Sequence, residues 1–138
     1  MNFKYKADFK YFADLLSNGD IVKFKKQYKD YFDFRDPLIK RKEFNLLRDK
    51  IFKDLVKKYN GKCQLRLVKD CSVNATFVVD HFIPLSSNIL NKKLRKLKTI
   101  KGKKVLTQSF GSNNPVNFVL ACSKCNAYKK HRIMNIPN

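Results

Sequence analysis

The sequence predicts an α+β fold whose N-terminal half is mainly helical. Three observations lead there. Before residue 60, apolar side chains recur at helical spacing in three successive stretches. After it come short β-rich runs, Thr76-Phe77-Val78-Val79 and Asn117-Phe118-Val119-Leu120-Ala121. The acidic residues end at Asp80, so every charged side chain from there to Asn138 is basic.

The first helix is expected over residues 3–17, from Tyr5, Phe9, Phe12 and Leu16, and Asn18-Gly19 stops it. Ile21, Phe24, Tyr28 and Tyr31 mark a second helix that ends before Asp36-Pro37. Asp36 is placed to cap a third, with Pro37 in its first turn. Phe44, Leu47, Ile51, Leu55 and Tyr59 form its stripe, and Asn60-Gly61 ends it. The aromatics of these helices read as core packing. Gln64 to Val68 alternates like a strand, bracketed by Cys63 and Cys71. Pro84 and Ser86-Ser87-Asn88 open a long connection, in which Lys92 to Lys104 holds eight basic residues in thirteen positions. Ile89, Leu90, Leu94 and Leu97 give part of it a helical spacing. Gly111 to Pro115 reads as a turn, and Ser123 to about Ile133 as a closing helix. The chain therefore divides into a helical region, 1–59, and a second region, 60–138, with a basic insertion at 88–110. The two are expected to form one compact unit.

At 138 residues and 43% hydrophobic content, the chain can bury a core of its own. Its net charge of +20 speaks to partners rather than to fold. Residues 1–80 carry +8 and residues 81–138 carry +12. A phosphate backbone binds such a surface by releasing its condensed counterions, so nucleic acid is the expected partner. No apolar run approaches transmembrane length, and no lipidation signal or long basic amphipathic helix favours a membrane surface. The N-terminus interrupts its apolar residues with charges, unlike a secretory signal. The four cysteines then read as thiols in a reducing, cytoplasmic compartment, where metal ligation is favoured over disulfides.

The chemistry-bearing residues come in a fixed order. Asp80-His81-Phe82-Ile83-Pro84 follows directly on the Thr76-Phe77-Val78-Val79 run. Asn117 follows, then Cys122-Ser123-Lys124-Cys125-Asn126, with Lys129 three positions on. Asn117 and Asn126 stand nine positions apart. This pattern resembles the HNH endonucleases over roughly residues 60–133. The resemblance implies a ββα-metal finger, a single divalent cation and hydrolysis of DNA to 5′-phosphate and 3′-hydroxyl ends. It also assigns Asn117 a structural role, its amide pinning the loop that orients His81.

Residue types supply the remaining roles. Neutral imidazole is a suitable general base at cellular pH, so His81 is the candidate base. The Asp80 carboxylate and the Asn126 carbonyl are hard oxygen ligands for Mg2+ or Mn2+. That ion would act as a Lewis acid on the scissile phosphate. Lys129, Lys130 and Arg132, with Lys101, Lys103 and Lys104 of the insertion, are candidate phosphate contacts. Each residue also has a plainer reading. An Asp-His pair is often an ordinary strand end, Asn126 could cap a helix, and His131 reads as a surface residue or phosphate contact. In an extended strand Asp80 and His81 face opposite sides, so serving one site requires the chain to bend after them.

Cys122-x-x-Cys125 has the spacing of a zinc knuckle. Many HNH proteins complete it with a second Cys-x-x-Cys upstream. Here Cys63 and Cys71 are eight positions apart, room for a small hairpin that returns both thiolates to one structural Zn2+. Either could instead be a small buried apolar residue. The leading expectation is a restriction or phage/homing-type nuclease, acting as a homodimer or by sequential nicks. The alternative is a noncatalytic zinc-ribbon module that binds nucleic acid.

Overall fold

The computed structural model describes residues 1–95, 109–130 and 132–133. Lys101, Lys103, Lys104 and His131 lie outside the described residues, as does most of the basic insertion.

Helix α1 spans Lys6–Ser17 and stops at Asn18 and Gly19, both in the left-handed region (φ 51° and 81°). Helix α2, Ile21–Tyr28, starts where the Asp20 carboxylate accepts from the Lys23 amide at 3.0 Å. Helix α3, Pro37–Lys58, is capped by Asp36, which accepts from the Leu38 amide at 2.8 Å. Pro37 sits in its first turn, where an amide hydrogen would have no helical partner.

Strands β1 (Phe77–His81) and β2 (Phe118–Cys122) pair antiparallel, with Phe77 opposite Cys122 and His81 opposite Phe118. Helix α4, Asn88–Leu94, lies in the connection, and α5, Ser123–Lys129, follows β2 directly. One face of the sheet carries Phe77, Val79, Phe118 and Leu120 against Phe44, Ile51, Leu55 and Tyr59 of α3 and its end. Val78, Val119 and Ala121 belong to the opposite face, packed with the cysteines. A third cluster joins Phe12, Phe24 and Phe32 to Phe82, Ile83, Leu90 and Phe110. The helical half and the sheet half thus share core.

Three extended segments lie side by side beneath α3. The Asp33 amide donates to Phe110 O at 2.8 Å, and the Ser112 amide to Tyr31 O at 3.0 Å. Gly111 N donates to Pro84 O at 2.8 Å, and Phe110 N to Leu85 O at 3.1 Å. A Cβ on Gly111 would stand 2.0 Å from Ile83 O, so only glycine permits this approach.

The structure departs from the sequence expectation in three places. Residues 64–68 form no strand: Arg66 is left-handed (φ 47°), and the Leu67 amide turns to the Cys125 sulfur instead of a ladder carbonyl. Leu47, placed on the α3 stripe, is more than half exposed. The closing helix ends at Lys129, because Lys130 leaves the helical region with a positive φ of 51°. No helix among the described residues is long and apolar enough to cross a membrane.

Candidate functional site

The sulfurs of Cys63, Cys71, Cys122 and Cys125 all lie within 4.8 Å of one another, and together they could hold a metal ion such as zinc. Four thiolates around zinc need S···S edges of about 3.8 Å, from Zn–S bonds of roughly 2.3 Å. The Cys71 and Cys122 sulfurs already stand 3.9 Å apart. Backbone amides converge on the sulfurs: Leu67 on Cys125 and Ser72 on Cys122, each at 3.3 Å, and Cys122 on Cys63, also at 3.3 Å. The loop between Cys63 and Cys71 turns at Arg66, and the chain leaving Cys71 turns at Ser72 and Asn74, all three with positive φ. Burial opposes ionisation of Cys122, yet the amides of Cys125 and Ser72 bring its thiol down to about 6. Burial pushes Cys125 up to about 12, although the Leu67 and Val68 amides oppose it, and burial also raises Cys71. Cys122 ionises readily while burial holds Cys71 and Cys125 as thiols, and a bound divalent ion would supply the countercharge their thiolates need.

Asp80 and His81, adjacent on β1, point to opposite faces of the sheet. Asp80 is 8% exposed and faces α5, where the Lys129 ammonium stands 3.1 Å from Oδ2. Among the described residues, Oδ2 is buried without a hydrogen-bond donor in good geometry. Burial raises the Asp80 pKa, and Lys129 opposes the rise. Lys129 itself is fully buried and also donates to His81 O at 3.2 Å. Expected to grip a phosphate, it instead anchors the end of β1 from within.

His81 faces α3. Its ring meets Phe44 and Phe118 edge-on, with centroids at 4.7 and 5.2 Å. Its Nε2 lies 2.9 Å from Asn113 Oδ1. Burial pulls the imidazole down to about 4; the Asn113 contact opposes this, while Lys40, Lys129 and Arg41 add to it. At neutral pH the ring is therefore uncharged, the form that accepts a proton.

The chain bends immediately after His81, and Asn117 holds the bend. Its Oδ1 accepts from the Ile83 amide at 2.7 Å, and its Nδ2 donates to Ile83 O at 3.0 Å and Ser112 O at 2.9 Å. Its carbonyl accepts from Phe82 N at 2.8 Å. Asn117 thus touches the backbone beyond His81 and leaves the ring to other residues. Asn126 is half-buried on α5, one turn before Lys129 and on the same side of the helix. Lys130 and Arg132 are exposed, and the Arg132 guanidinium lies 4.4 Å over the Tyr128 ring.

Two site residues were not foreseen from the sequence. Asn113 sat in a run of turn residues, with nothing to single it out. Lys40 is 0% exposed, and its ammonium donates to Asp33 O at 2.5 Å, Gly111 O at 2.6 Å and Leu85 O at 3.1 Å. It stitches together the three segments that carry the bend. On a helix surface, a lysine of this kind has the same sequence signal as a solvated one. Compared with protein-family models, curated proteins and solved structures, the chain matches none.

Proposed function

We propose that the chain is a metal-dependent endonuclease that hydrolyses DNA phosphodiester bonds, in the manner of the HNH endonucleases it resembles. The observation that carries this reading is the end of β1. There an uncharged His81 stands next to Asp80, a buried carboxylate whose Oδ2 faces the Lys129 ammonium at 3.1 Å without a hydrogen bond in good geometry. A buried carboxylate oxygen that has a cation beside it but no well-directed hydrogen bond keeps lone pairs for a divalent ion.

Asp80 and Asn126 would hold a divalent ion, Mg2+ or Mn2+, which when bound supplies Lewis-acid stabilisation of charge on the phosphate. His81 takes a proton from water as the water oxygen bonds to phosphorus and the bond to the 3′-oxygen breaks. The leaving oxygen gains a proton from solvent, giving 5′-phosphate and 3′-hydroxyl ends. Asn117 keeps the 82–84 bend in place so that His81 holds its position. The four-cysteine cluster secures the other face of the sheet and takes no part in the chemistry. The basic C-terminal region supplies salt-sensitive attraction for DNA.

A second reading, a noncatalytic zinc-ribbon module binding nucleic acid, is favoured by one contact. Lys129 already balances the Asp80 charge without a divalent ion. Supercoiled plasmid separates the two. The nuclease reading expects nicking with Mg2+ or Mn2+ that EDTA abolishes, and that His81→Ala abolishes with DNA affinity retained. Tight binding by wild-type protein with no cutting of DNA would overturn it in favour of the binding module.

A further inference from the structure

The ring nitrogens of His81 are not equivalent, and a short chain of hydrogen bonds tells them apart. It begins on the backbone of α3. Lys40 O, a carbonyl, can only accept, and the Asn113 side chain lies 2.8 Å from it. The group facing that carbonyl must be the Nδ2 amide, so Oδ1 is the atom turned toward His81. An amide oxygen also only accepts. His81 Nε2, at 2.9 Å, must therefore carry the proton. The lone pair is left on Nδ1. The edge contacts of Phe44 and Phe118 hold the plane of the ring.

We propose that Asn113 is the positioning residue for His81, fixing the proton on Nε2 and making Nδ1 the nitrogen that receives a proton from the attacking water. The role of Nδ1 as acceptor rests on the nuclease reading above; the tautomer does not. Asn113 is suited to this work by its own anchoring. One end of its amide is tied to α3 and the other to the ring, so the direction of the imidazole is referred to the helical half of the protein. Asn117, four positions on, orders the backbone beyond His81 without touching the ring. The two asparagines have separate roles. Asn117 sets where the chain goes, and Asn113 sets what the ring can do.

The chain holds only two histidines, which makes the tautomer directly readable. Uniformly 15N-labelled protein at pH 8 gives long-range ring correlations for both, and His131→Gln assigns them. The expected result for His81 is a protonated, slowly exchanging Nε2 and an unprotonated Nδ1. Asn113→Leu, similar in shape but without an acceptor, should lose the slow exchange of that ring proton. Plasmid cleavage by Asn113→Leu should show kcat lowered by roughly 10- to 100-fold with KM for DNA little changed, a partial loss of general-base catalysis. A merely structural role would leave the ring proton alone. A proton found on Nδ1 in the wild-type protein would overturn the proposal. So would an Nε2 proton that exchanges equally slowly in Asn113→Leu, a comparison that needs no activity. If the tautomer and its dependence on Asn113 are as expected but wild-type protein cuts no DNA, the nuclease reading fails and the positioning of His81 by Asn113 stands.

Discussion

Replacing Lys40 by methionine isolates the buried ammonium, because methionine keeps most of the length and apolar bulk of the stem. Of the three carbonyls it serves, Leu85 O retains donors in Phe110 N and Ser109 Oγ, at 3.1 and 3.0 Å. Asp33 O and Gly111 O lose the ammonium that holds them at 2.5 and 2.6 Å. Leaving such groups unpaired costs about 1–3 kcal/mol each, so the net loss should be about 2–4 kcal/mol after partial hydration of Asp33 O. For a domain of this length that is roughly a 10 °C fall in melting temperature. The pH dependence has a definite sign. Burial lowers the Lys40 pKa from 10.5 to about 8, Asp33 opposing and Arg35 adding. Between those values the unfolded chain binds the proton that the folded chain has shed, so stability contributed by this group rises with pH. The wild-type advantage over Lys40→Met should therefore widen from pH 8 to pH 10.5, by urea unfolding at each pH. A variant within about 0.5 kcal/mol of wild type at pH 7 would refute the staple, the span of values typical of inconsequential surface changes. An advantage that narrows over the same pH range would show the carbonyl cage overriding desolvation and keeping the ammonium charged.

Gly111→Ala should destabilise by about 3 kcal/mol, because its Cβ would meet backbone atoms of Ile83 and Pro84 that cannot swing aside. Chemical denaturation measures this, and an unchanged midpoint would contradict the close packing of the three segments. Purified protein should carry about one zinc per chain, and Cys125→Ser should lose it, by metal analysis against protein concentration. Zinc uptake should release protons and strengthen as pH rises, since burial holds Cys71 and Cys125 in their thiol form. Uptake without proton release would mean that the thiols are not the ligands.

How much of this was legible in the sequence follows from the range of the interactions. Local rules were sufficient for α1, α2 and α3: Asn18-Gly19, Asp20 and Asp36-Pro37 act on amides within a few residues of themselves. They failed at residues 64–68. There the alternation of Leu65 and Leu67 is real, since Leu65 is fully buried, but the segment keeps one contact with β2, Gln64 N to Leu120 O, and the Leu67 amide then turns to the Cys125 sulfur on α5 instead of extending a ladder. The four-cysteine cluster was legible because metal chemistry restricts which residue types can answer one another across the chain. Lys129 was misplaced for the opposite reason. One basic side chain in a basic region gives no sign that it is turned inward, and only the fold brings it to Asp80. Asn113 and Lys40 belong to the same class: the His81 partner of Asn113 and the Leu85 and Gly111 partners of Lys40 all lie more than thirty positions away in sequence.

Two strands of five residues each would be marginal as an isolated hairpin. This sheet persists because its two faces are closed by different physics. Apolar side chains of α3 cover the His81 face, and the cysteine cluster with the Asp80–Lys129 pair closes the other. The candidate base and the candidate metal ligand are consequently adjacent in sequence but supported independently. His81 depends on Asn113 and, through Lys40 O, on α3. Asp80 depends on α5, which is capped by Cys122, a cluster residue whose sulfur accepts from the Cys125 amide at 3.4 Å. Loosening the cluster should therefore disturb the Asp80 side first, and loosening α3 the His81 side. They converge only at the strand end, where Lys129 reaches both the Asp80 carboxylate and the His81 carbonyl. On the proposed nuclease reading, a phosphate served by both side chains would have to sit across that end, beside the bend that Asn117 holds.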